Sequence, residues 1–60
     1  MKEFKTLKDL FNNLELIPEI VGLDVMARIQ DWMMSGGKEQ DAYIQRQLKF
    51  ASQFIGYKGE

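Results

Sequence analysis

The sequence has no cysteine and no histidine. Disulfide staples are therefore excluded, and a zinc site has none of its usual soft ligands. Thiolate nucleophiles and imidazole acid–base groups are excluded with them. There is one proline, Pro18, so a proline break in helix geometry can occur at one point only. Apolar runs are only a few residues long, far short of the ~20 that a bilayer-spanning helix needs. The opening MKEFK lacks a continuous apolar segment, so no signal peptide is read and a cytoplasmic location is expected. An excess of positive charge is missing too. Eight Lys and Arg face nine Asp and Glu, for a net charge of −1. Nucleic-acid-binding domains carry such an excess to neutralise phosphates, so the balance argues against that class.

Sixty residues make one domain, spanning 1–60. A chain this short buries only ~60 % of the surface its unfolded form exposes. With disulfides and zinc excluded, the remaining reinforcements are tight helix packing or a partner chain. The four Phe, one Trp and two Tyr suit either, because aromatic side chains carry the most apolar area. The charges are segregated: residues 1–9 sum to +1, residues 10–41 to −4 and residues 42–60 to +2. Solvated helix faces account for that pattern without a binding function.

The stretch DVMARIQDWMMSGG, residues 24–37, organises the chain. At about 100° per residue, Val25, Met26, Ile29, Trp32 and Met33 fall within a ~120° arc, the apolar stripe of an amphipathic helix. Asp24 suits the N-cap, and Ser35-Gly36-Gly37 supplies the stop. The spacing predicts a helix over 24–35, with Trp32 near the centre of the core. Arg28 and Asp31 form a weak pair on its polar side. Ala27 and Met34 point away from the stripe, as stray surface residues or as a second, shallow contact face.

The first helix is expected over 6–14. Thr6 caps it, Asp9 sits at N3, and Leu7, Leu10, Phe11 and Leu14 form its stripe. Asn12-Asn13 weaken this helix without ending it. Pro18 makes the first break. The second helix starts either there, as Pro at N1 permits, or at Asp24. Gly22 would cost ~1 kcal/mol inside it. Ile17, Ile20, Val21 and Leu23 are too apolar for a free loop, so 17–23 reads as a buried corner. The third helix is expected over 41–55, capped by Asp41, with residues 56–60 fraying. Its apolar residues, Tyr43, Ile44, Leu48, Phe50, Ala51, Phe54 and Ile55, occupy a ~160° arc. Either the core face is broad, or Tyr43, Gln47, Phe50 and Phe54 pack on a second copy of the chain.

The chemistry-bearing patterns are thin. Gly36-Gly37-Lys38 follows a helix, not a strand, so it reads as a helix stop and not a phosphate loop. No calcium loop is present. No carboxylate pair shares one shielded helix face, and Pro18 separates the nearest pair, Glu15 and Glu19. No enzyme, metal or cofactor is read from the sequence. A helix-turn-helix reading would use Gln45, Arg46, Lys49 and Gln53 on the outer side of the third helix. The connection before it exceeds the 3–4 residues of that motif, and Asp41 would repel phosphate.

The segments RIQDWMMSGG (28–37) and DAYIQRQLKFASQFI (41–55) resemble a family of short uncharacterised proteins from phages and prophages of low-GC Gram-positive bacteria. Asp24, Arg28, Ile29, Asp31, Trp32, Ser35, Gly36 and Gly37 carry the resemblance. So do Tyr43, Ile44, Gln47, Leu48 and Ala51. The first sixteen residues do not contribute, and Asp41-Ala42 departs from the family's Asp-Pro. The resemblance implies no activity, cofactor or catalytic residue. It implies a phage accessory protein, a class that often works by binding a partner. The expectation is thus an all-α, three-helix domain that binds an unidentified protein and forms a homodimer. A nucleic-acid accessory factor using Arg46 and Lys49 is the rival.

Overall fold

The computed structural model describes residues 2–57. In chain order the elements are α1 (Leu7–Asn12), a 3₁₀ turn (Leu14–Leu16), α2 (Glu19–Met34) and α3 (Ala42–Ser52). There is no strand among the described residues. The all-α, three-helix class read from the periodicity is the class observed, with shifted boundaries.

α1 begins as the sequence predicts. The Thr6 hydroxyl accepts from the Asp9 N–H at 3.1 Å, and the Asp9 carboxylate accepts from the Lys5 N–H at 3.0 Å. Two otherwise unpaired donors are thereby satisfied. The helix ends at Asn12, earlier than expected. Asn13 leaves helical geometry at φ −134°, ψ 31° while its side-chain amide donates to the Asp9 carbonyl at 2.8 Å. An asparagine side chain bonding to backbone competes with helix propagation, and here it ends the helix. The tight 3₁₀ turn follows. Phe11, expected in the core stripe, is exposed.

α2 starts directly after Pro18 and runs through Gly22 without a break. Asp24 is therefore an interior residue and not an N-cap. Its carboxylate pairs with Arg28 at 3.1 Å, in place of the expected Arg28–Asp31 pair. The 17–23 corner is only half buried: Ile17, Pro18 and Gly22 are inside, whereas Ile20 and Leu23 are exposed. Continuing the helix from Glu19 turns those two side chains away from the core.

The end of α2 matches the Ser-Gly-Gly signal. Gly36 has φ +98°, its N–H donates to the Met33 carbonyl, and the Gly37 N–H donates to the Trp32 carbonyl. That is the Schellman closure, which needs a residue at ease in left-handed geometry.

α3 contributes Ile44, Leu48 and Ala51, at i, i+4 and i+7, to a core shared with Leu7, Leu10, Ile17, Val25 and Ile29. Phe4 joins them from the extended segment before α1. Its N–H donates to Ser52 Oγ at 2.8 Å, and the Ser52 hydroxyl donates in turn to the Leu48 carbonyl at 2.7 Å. The other end is closed by the Gly56 N–H, which donates to the Leu16 carbonyl at 2.9 Å. Gly56 is thus tied to the 3₁₀ turn and does not fray; residues 58–60 lie outside the described residues.

Candidate functional site

Trp32 is not at the centre of the core. It is partly buried at the edge, stacked on Tyr43 with ring centroids 4.6 Å apart. Its indole N–H donates to Asp41 Oδ2 at 3.0 Å, and the Lys38 N–H donates to the same oxygen at 2.8 Å. Asp41 stands at the N-cap position of α3 but makes no side-chain cap bond there. One carboxylate oxygen thus joins the last turn of α2, the loop and the start of α3. Glu39 adds a second tie from this loop, accepting the Leu7 N–H at 3.2 Å. These bonds account for the loop's acidic residues structurally.

Tyr43, Gln47 and Phe50 share one flank of α3 at helical spacing; Phe54, expected with them, lies in the turn after the helix, which ends at Ser52 and not at residue 55. Tyr43 is occupied by the stack on Trp32, and Gln47 is half-buried. Phe54 packs against the core and meets Phe50 edge to face at 5.3 Å; Tyr57 continues that row from the other side at 6.4 Å. Phe50 and Tyr57 remain exposed. Arg46 and Lys49 are exposed on the outer side of α3. Lys49 borders a shallow groove of about 400 Å³ with Lys5, Phe4 and Gln45, but Glu3 borders it as well. Arg46 is not among the residues that line this groove.

The most unusual surface is on α2, which is apolar on two opposite sides. Val25 and Ile29 enter the core, with Val21 and Trp32 beside them. On the outer side, Ile20 is 77 %, Leu23 64 % and Met34 78 % exposed. Ala27 and Gln30 are exposed between them. Residues 20, 23, 27, 30 and 34 follow a 3-4-3-4 spacing, the a/d pattern of a helix–helix seam. The sequence sets Ala27 and Met34 off the main stripe, but a corner at 17–23 takes Ile20 and Leu23 out of the helix, and the repeat is not visible without them. Next to the seam, Leu14, Ile17, Gly22, Leu23 and Met26 line an apolar groove of about 330 Å³, with Glu15 and Glu19 at its rim. Gly22 contributes only backbone to this lining, and a Cβ there would meet Leu14 and Ile17 at ordinary contact distances of 3.5 and 3.7 Å.

A family model for a family of unknown function, DUF6877, matches residues 4–56. The chain belongs to that family. The match includes α1 and the 3₁₀ turn, which the resemblance of residues 28–37 and 41–55 did not reach. No curated protein and no solved structure matches the chain. Among the described residues, no three acidic, histidine or cysteine side chains are grouped as a metal site requires. No helix among them is long and apolar enough to cross a membrane.

Proposed function

We propose that this protein is a non-catalytic interaction module whose contact surface is the outer face of α2, with the adjoining groove. One observation carries the reading: a sixteen-residue helix that is apolar on both sides and has only one side covered. An apolar helix face is normally buried, and no other described residue covers this second one. An exposed, largely apolar strip with charges beside it, here interrupted by Gln30, is a usual mark of a protein contact. The reading moves the contact from α3, where Tyr43 and Phe54 are already engaged, to α2. The phage or prophage accessory role implied by the sequence resemblance fits a module of this kind.

The test is photo-crosslinking in the organism that naturally carries the protein. A photoreactive residue is placed at Leu23, Ala27 or Met34, and at Gln45 as an exposed control on α3. Protein adducts, to a second copy or to another chain, should form from the α2 positions and not from Gln45. Equal adducts from all positions, or none from α2, would reject the reading.

A further inference from the structure

We infer that the outer face of α2 receives a basic amphipathic helix of a different protein, and not a second copy of this chain. The inference rests on the proposed contact face and concerns what occupies it. In the heptad that makes Ile20, Ala27 and Met34 a positions, Leu23 and Gln30 are d positions. The flanking positions then fall to Asp24 and Asp31 on one side of the seam. Glu19, Met26 and Met33 fall on the other. Flanking charges set partner and orientation in helix–helix seams.

Both ways of pairing α2 with itself put acid against acid. An antiparallel pair brings Asp24 of one copy alongside Asp31 of the other. A parallel pair brings Glu19 alongside Asp24. Arg28 offsets part of the charge on Asp24 through their 3.1 Å pair, but it sits one position outside the flank and leaves the charges of Glu19 and Asp31 in place. Over the whole helix, Glu19, Asp24 and Asp31 against Arg28 leave a charge of −2. A helix with Lys or Arg flanking its apolar stripe removes the conflict on both sides.

The apolar part of the face fits the same occupant. Ile20 to Met34 are fourteen residues apart, about 21 Å of helix, which is two heptads of a partner. The groove of about 330 Å³ at the Leu23 end can take one large apolar side chain from that helix. Met26 and Met33, on the flank without aspartates, are unbranched side chains that adapt to an incoming surface.

Two synthetic helical peptides of roughly fifteen residues test this. Both carry Leu at a and d; one has Lys at the flanking positions and the other Glu. Binding to the full chain is followed by the emission of a dye on the peptide. The Lys peptide should bind about tenfold or more tighter than the Glu peptide, and its advantage should shrink with added salt. Asp31→Lys, at an exposed position in the last turn of α2, should narrow or reverse the preference without loss of the fold. Equal affinities, or no binding of either peptide, would overturn the inference. So would a wild-type chain that sediments as a dimer and becomes monomeric on Leu23→Lys. Crosslinks from α2 in the organism together with any of these results would leave the contact face standing and reject only the basic helix.

Discussion

Gly37→Ala puts one methyl group into the place where Trp32 sits. A Cβ built at Gly37 falls against the indole Nε1, Cδ1 and Cε2, well inside van der Waals contact. The ring cannot give way freely, because it is stacked on Tyr43 and bonded to Asp41. Moving it forfeits a hydrogen bond to a carboxylate, about 1.5–3 kcal/mol, and a ring stack, about 0.5–1.5 kcal/mol. Partial exposure of the site argues for the lower half, so a loss of about 2–3 kcal/mol is expected. A 60-residue domain at ~0.05–0.15 kcal/mol per residue has about 3–9 kcal/mol in all. The midpoint should fall by about 10 °C or more. Trp32 is the only tryptophan, so near-UV circular dichroism and indole emission report on this one ring. Gly36→Ala is the control: its Cβ meets nothing within 4 Å, but φ +98° strains any residue with a side chain. It should cost roughly 1 kcal/mol and leave the indole signals unchanged. A Gly37→Ala protein with the wild-type midpoint and wild-type near-UV spectrum would refute the close packing of Trp32 on Gly37.

Gly22→Ala should raise stability by up to about 1 kcal/mol in urea melts, because the new methyl group meets Leu14 and Ile17 at ordinary contact distances and alanine favours a helix interior. A destabilised variant would mean that Gly22 is held more tightly than its neighbours indicate. Leu10→Ala removes a side chain with 0 % exposure and should cost about 2–5 kcal/mol, enough to unfold much of the population at 37 °C by circular dichroism. Leu23→Lys should change stability by less than about 0.5 kcal/mol while abolishing crosslinks along α2; a large drop in midpoint would place Leu23 in the fold instead of on the contact face.

The local signals in the chain determined the helices and some of their ends. Thr6 with Asp9 and Ser35-Gly36-Gly37 act through backbone geometry and bonds a few residues away, so sequence suffices to place them, whereas the start of α2 at Glu19 stays open between Pro18 and Asp24 in the sequence. The Ile44, Leu48 and Ala51 face was legible for a similar reason, since one stripe in a mostly polar helix can meet only one interior. α2 was different. Its apolar residues occupy two sides, and periodicity does not say which side a neighbour will cover. That depended on where the 3₁₀ turn delivers Ile17 and where α3 returns after the loop. Together they claim Val25 and Ile29 and leave Ile20, Leu23 and Met34 outside. Asp41 likewise suited a cap by type and position. The proximity of the Trp32 ring, nine residues earlier, turned its carboxylate to the indole instead. The tertiary structure decided these points because each depends on contacts between segments distant along the chain, which no local pattern encodes.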